Sequence, residues 1–588
     1  MRRHASSFRR PDRSGLRALA LLLAAVVGLP DASHADVFIN SAVSGPQYGD
    51  GGSFILGFDG TITSTGDGVV GDATHGITQL MVQGSIDAAD KGIAIAAGAP
   101  PLSFIAVTGT SAGGTFGLLH SGSAQQVSVH QGLVSGGSGT GIRNSGTIAY
   151  LDVGAPARVI GGGGPGIDNA AGASIGFLTM HGTLQGVDGL STSGTIATLW
   201  NYDTGKIEGS NGGMGLFVGP GGGIGTFSSF GTVSGSSGVV VAGAVNSFLN
   251  EKYNAVFGTI SGSSQGMSVV GTGSVTTLAN AGIMEGGSVG LSVEGGHLGQ
   301  FTNSGTIRSS TGGPALVVSS GGDIDRITNS GSIGDIVNAS SIGDGTAAAL
   351  TSTGTGASIG TFTNTGVVYG GMTVANQNLL IHGGGGNPFT TGTAGVFDGG
   401  TPTVSNGSLH FASGNTTLQA DMVVSSAGGT PGAGTMTVDG TLIVVGPRAL
   451  DGSFTLSPAG TFVSAINSSS LYGSLAATGT ASFGGTLDLG DVGGAIAAGQ
   501  TYDLFTFASR VGDFLGLSVM GTPLASLGGG QWAYGALTLS EIWTSTGMSL
   551  SVSGAAPIPE IDPAGLGSVL ALASGALGLL ERRRLKSA

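Results

Sequence analysis

The sequence predicts an all-β fold: a right-handed parallel β-helix of about twelve or more coils, closed by a C-terminal β-rich cap. Three observations carry this reading. Glycine is 118 of 588 residues and charged residues are 9%. Ile, Val, Leu and Phe recur in short pulses separated by Gly, Ser, Thr and Asn. A unit of 23–27 residues repeats.

The repeat is plainest at Thr302-Asn303-Ser304-Gly305-Thr306-Ile307, Thr328-Asn329-Ser330-Gly331-Ser332-Ile333 and Thr363-Asn364-Thr365-Gly366-Val367-Val368. The closing apolar residue of each copy falls at Ile160, Leu184, Ile207, Val233, Ile260, Met284, Ile307, Ile333 and Val368. The last step is longer, with an insertion around Ser340–Thr346. Looser units end near Ile86, Thr110 and Val134.

Glycine, threonine, serine and β-branched residues disfavour helix and suit strands. Three apolar pulses per copy predict three short strands and three turns, one coil of a solenoid. Alternate residues of each strand then face an apolar column. Phe301, Ile327 and Phe362 are expected at one angular position inside it. Asn303, Asn329 and Asn364 are expected at one corner two residues later, where stacked amides can form a ladder. Asn280 belongs to the same series, with Asn144 and Asn201 as looser members. Glycine and asparagine tolerate the left-handed backbone of tight corners. Twelve coils would make a rod of roughly 55–60 Å.

The expected organisation is a signal peptide at 1-35, an N-terminal β cap at 36-75, and regular coils at 76-370. Irregular coils follow at 371-446, the cap domain at 447-556 and a tail at 557-588. In the irregular coils the alternation persists through Leu379, Ile381, Leu409, Phe411, Met436, Val438, Leu442 and Val444. The cap holds Trp532, Tyr534 and Trp543, large aromatics suited to shielding the open end of an apolar column.

Residues 1–35 carry six arginines, an apolar run Ala18–Leu29 and then Ser33-His34-Ala35. This is a secretory signal with cleavage expected after Ala35. At the other end Pro557, Pro559 and Pro563 lead into the uncharged run Ala564–Leu580, closed by Arg582, Arg583, Arg584 and Lys586. Seventeen residues reach the lower limit for a membrane-spanning helix. The basic cluster favours a cytoplasmic end. The tail resembles the PEP-CTERM class of bacterial sorting signals, with Pro559, Glu560 and Ile561 at the motif and Arg582, Arg583 and Arg584 at the basic end. That resemblance implies delivery to the cell envelope, membrane contact through the tail and processing by a transpeptidase-like sorting enzyme.

The Thr-Asn-Ser-Gly-Thr-Ile wording over about residues 76–370 resembles passenger repeats of autotransporter-type Gram-negative surface proteins. The chain departs from that family in lacking a terminal barrel of amphipathic strands, so self-translocation is not implied.

There is no cysteine, so no disulfide supports the fold. Between residue 36 and Leu580 nine basic residues face thirty acidic ones, and no basic patch marks a nucleic-acid surface. The best candidate for chemistry is Asp323-Ile324-Asp325-Arg326, whose acids at i and i+2 share a strand face, compatible with acid/base work or Ca²⁺ binding. The plain reading is a solvated pair beside an arginine. Gly163–Asp168 matches part of a calcium β-roll repeat only once. His75, His120, His130, His181, His297, His382 and His410 are dispersed, without metal-ligand spacing. Threonine pairs such as Thr61/Thr63 and Thr361/Thr363 do not keep one offset through many copies, as an ice-binding array would.

The sequence therefore predicts a non-enzymatic envelope or extracellular surface protein for adhesion or matrix assembly. No catalytic residue, cofactor or metal is assigned, and polysaccharide is among the expected partners. A carbohydrate-active β-helix enzyme and an ice-binding surface are the alternatives.

Overall fold

A computed structural model describes residues 35–253, 255–334, 348–352, 356–385, 394–426 and 433–554. The leader, the tail with Pro559–Ile561 and Arg582–Arg584, and the insertion around Ser340–Thr346 lie outside them. Among the described residues every regular element is a β-strand. No helix among them is long and apolar enough to cross a membrane. The chain divides into two compact units, Met1–Phe177 and Leu178–Ala588.

Both units are parallel β-solenoids. In the second, one coil consists of Ser274–Asn280, Ile283–Gly286 and Val289–Glu294. The next consists of His297–Asn303, Thr306–Ser309 and Leu316–Ser319. Each strand pairs in parallel with its counterpart one coil on. Residue alternation decides which side chains enter the column, because successive side chains leave opposite faces. Leu199, Phe227, Phe248, Leu278, Phe301, Ile327 and Phe362 follow one another in register and are buried. Leu184, Ile207, Val233, Ile260, Met284, Ile307, Ile333 and Val368 form a second such row. Burying each of these side chains is worth about 1.5–3 kcal/mol.

In the first unit parallel pairing already joins Ala35–Ile39 to Gly51–Leu56, so coils begin within the segment expected to be a cap. Its columns include Phe54, Leu80, Ile105, Val127 and Leu151 in register. Here the expected inward row needs a correction. Ile86 and Val134 flank Ser111, not Thr110, and Val134 pairs with Val159, not Ile160. A one-residue slip turns a side chain to the opposite face, and Val159 is fully buried whereas Ile160 is not. Ser111 is tolerated in the column because its hydroxyl donates to the Gly117 carbonyl at 2.9 Å.

The corner glycines serve a different purpose from the one expected. Gly305, Gly331 and Gly366 do not adopt positive φ. A Cβ on Gly331 would instead overlap the carbonyl oxygen of Gly305, and one on Gly366 that of Gly331. Coil-to-coil stacking, not left-handed backbone, therefore demands glycine at this corner.

Parallel coils continue well past Val445, into the segment expected to be the cap. Thr486–Asp491 still pairs in parallel with Gly516–Val519. The pattern then turns antiparallel through Ala525–Gly528, Gln531–Tyr534, Leu537–Trp543 and Gly547–Gly554. Trp543 packs on Phe483 and Phe514, and Arg510 lies over its ring at 4.2 Å. Trp532 and Trp543 both donate indole N–H groups to Glu541, at 3.1 and 3.0 Å. Tyr534 donates to Asp491 at 3.2 Å.

Candidate functional site

Two features gather polar side chains across coils: a buried corner ladder and an outward cluster around Asp323. The ladder forms because the last residue of each seven-residue strand points inward at a corner, where an amide can pair with the same position one coil on. In the second unit Asn250 donates to Asn280 at 2.7 Å, Asn280 to Asn303 at 2.8 Å, Asn303 to Asn329 at 2.8 Å and Asn329 to Asn364 at 2.9 Å. Asn364 donates onward to the Val396 carbonyl at 3.3 Å. Asn201 occupies the same strand-final position, but its partner is Ser229, at 3.1 Å.

In the first unit a separate ladder runs along the ends of the shorter strands Phe116–His120, Thr140–Asn144 and Ile167–Asn169, with Asn144 joined to both neighbours. His120 Nδ1 lies 3.0 Å from its Oδ1, and its Nδ2 donates to Asn169 at 2.9 Å. Burial holds the His120 imidazole below its ordinary pKa, so it is a neutral member of the ladder. Sequence reasoning missed Asn169 and Asn250, which have no glycine two positions on, and His120 and Ser229, which have that glycine but are not asparagines. The signal that finds them is the strand-final position itself.

The ladder is inaccessible and structural. The outward cluster is not. Asp323–Asn329 buries Ile324 and turns Asp323, Asp325 and Arg326 outward. Asp323 pairs in register with His297 of the preceding coil. His297 Nδ1 lies 2.7 Å from Asp323 Oδ2, and His297 Nε2 lies 3.8 Å from Asp325 Oδ2. One ligand atom from each of the three residues falls within 4.8 Å of the other two. Arg326 is in register with Gln300 and Thr361, in a separate row. The two aspartates are therefore not a solitary pair: the coil period brings a histidine from 26 residues earlier.

Two other histidines meet carboxylates across coils, and His75 meets one within its own turn. His130 pairs with Asp152 at 3.2 Å, His410 with Asp439 at 2.6 Å and His75 with Asp72 at 3.2 Å. His181 stacks on Tyr202 with centroids 4.0 Å apart, and His382 meets the Ser413 hydroxyl at 2.7 Å. Basic residues also bridge coils, as Arg308 does to Glu285 and Arg143 to Asp168. Burial nevertheless pushes Asp168 up, with Arg143 opposing the shift. Thr302, Thr328 and Thr363 align in one row over three coils.

No protein-family model matches this chain, and no curated protein matches it either.

Proposed function

We propose that this chain is a non-enzymatic cell-envelope or extracellular surface protein, a rigid right-handed β-helix scaffold for adhesion or matrix assembly. One observation carries the reading most directly. The in-register architecture spends its apolar and amide side chains on the column and the corner ladder, and leaves outward rows of Thr, Ser, Gln and paired charges. Repeated outward rows suit many weak contacts to an extended partner, with extracellular polysaccharide as the class in view. On this reading the Arg-rich leader directs export. The tail, with its apolar run Ala564–Leu580 between Pro559 and the arginines at 582–584, holds the chain at the inner membrane and presents it to a transpeptidase-like sorting enzyme.

Fractionation of cells expressing the full chain, with intact mass of the mature protein, tests this. A product beginning after Ala35 and found in the envelope or medium is expected. A cytoplasmic product that retains residues 1–35 overturns the reading.

A second reading, a carbohydrate-active β-helix enzyme, draws on His297, Asp323 and Asp325. Release of reducing ends from a polysaccharide, lost in Asp325→Asn, would favour it.

A further inference from the structure

We propose that His297 and Asp325 bind a divalent transition cation of the Zn²⁺ type on the outer face of the second unit, with Asp323 as the positioning carboxylate. The argument begins with the imidazole. A carboxylate only accepts hydrogen bonds, so the 2.7 Å contact to Asp323 Oδ2 places a proton on His297 Nδ1. In the neutral ring the lone pair then sits on Nε2, on the side facing Asp325. Metal-ligating histidines characteristically donate their other N–H to a carboxylate, which fixes the tautomer and raises ligand basicity. Here that carboxylate is in place.

The remaining geometry suits one cation. Zinc bonds to imidazole nitrogen and carboxylate oxygen are about 2.0–2.2 Å, so two such ligands of a tetrahedral ion lie about 3.4 Å apart, a few tenths of an ångström from the separation here. His297 Nε2 and Asp325 Oδ2 are 3.8 Å apart. The backbone makes this possible. Ladder pairing links Leu298 to Ile324 and Gln300 to Arg326, and omits Gly299 and Asp325. At that unpaired position Asp325 is exposed, and both carboxylates reach the same ring. The second aspartate separates this site from the other histidine–carboxylate contacts: His130, His410 and His75 each meet one aspartate.

The donor set selects the metal class. One imidazole nitrogen with carboxylate oxygen suits Zn²⁺ or Cu²⁺, whereas Ca²⁺ takes six to eight oxygens. All three side chains are partly exposed, at 45%, 38% and 63%, so water can complete the coordination.

Calorimetric titration of the purified full chain with Zn²⁺, and separately with Ca²⁺, tests the proposal. One equivalent of Zn²⁺ is expected to depend on this group. His297→Ala and Asp325→Asn should each abolish it, and His382→Ala should leave it intact. Asp323→Asn should weaken it by about 10–100-fold, the usual effect of removing a histidine's supporting carboxylate. Asp325 is the most exposed of the three, so its variant reports on the site with the fold intact. The proposal fails if wild type binds no Zn²⁺, if Asp325→Asn keeps the equivalent at unchanged affinity, or if Ca²⁺ fills the same site as tightly.

Discussion

The side-chain amide of Asn303 donates to the side-chain carbonyl of Asn329 across one coil, at 2.8 Å, and both residues are fully buried. Asn303 Nδ2 also reaches the Ser332 carbonyl at 3.0 Å, so one amide ties a side chain and a main chain of the next coil. Every link from Asn250 to Asn364 runs in the same sense, with Nδ2 donating toward the C-terminus.

Asn329→Asp should destabilise the second unit more than Asn329→Ala does. Aspartate keeps the shape but cannot donate to Asn364 or to the Val367 carbonyl while ionised, and it buries a charge. Alanine leaves buried partners unpaired at about 1–3 kcal/mol each. Chemical denaturation of the two variants checks the order.

Ser229→Asn should stabilise the protein. Ser229 is in register with Asn201 and Asn250, and the buried Oδ1 of Asn250 has no hydrogen-bond partner. An asparagine here can donate to that oxygen and accept from Asn201, for a gain of about 1–3 kcal/mol. A lowered melting temperature would show that the corner at this coil cannot hold an amide.

Ile327→Asp should unfold the second unit or cost at least about 3–5 kcal/mol, because it buries an unpaired charge between Phe301 and Phe362. Ile327→Val should cost only about 0.5–1.5 kcal/mol. Comparable losses from the two would place residue 327 outside the column.

Acid should destabilise the first unit through His120. In the unfolded chain this imidazole takes up a proton below about pH 6.5, whereas burial depresses its pKa in the fold. Between the folded pKa and 6.5 the unfolded state therefore binds more protons, and stability rises with pH. The contribution is complete above 6.5 and is lost on acidification, with a slope of at most about 1.4 kcal/mol per pH unit. His120→Asn keeps the ladder member and should flatten this part of the profile. An unchanged difference between pH 7 and pH 5 would refute the assignment.

Deleting residues 557–588 should release folded protein to the periplasm or medium. Retention in the membrane fraction at the wild-type level, or misfolding of the truncated chain, would count against the sorting-tail proposal.

The column was legible because burial imposes a period-two pattern that glycine and serine do not blur: Phe301, Ile327 and Phe362 share one row. The row was misread by one residue at Ser111, where a hydroxyl residue stands in the column, and at Val159, whose neighbour Ile160 is equally apolar. The ladder was legible where the Asn-x-Gly wording survives, and at Asn201, whose glycine lies farther on. Its remaining members are defined by position along the strand, and a histidine or serine can fill that position. The association of His297 with Asp323 and Asp325 was hidden for another reason. It depends on the coil step between two copies, whereas metal-ligand motifs are read within a single segment.

The common sense of the amides from Asn250 to Asn364 makes their orientation a collective variable. Turning one amide over would set donor against donor on one side and acceptor against acceptor on the other. Each Nδ2 also donates to a main-chain carbonyl of the next coil, so the carbonyls fix the one sense in which all five amides point. The corner carries a short chain of aligned amide dipoles, and Ser229, with a hydroxyl in place of an amide, is the break at which it is interrupted.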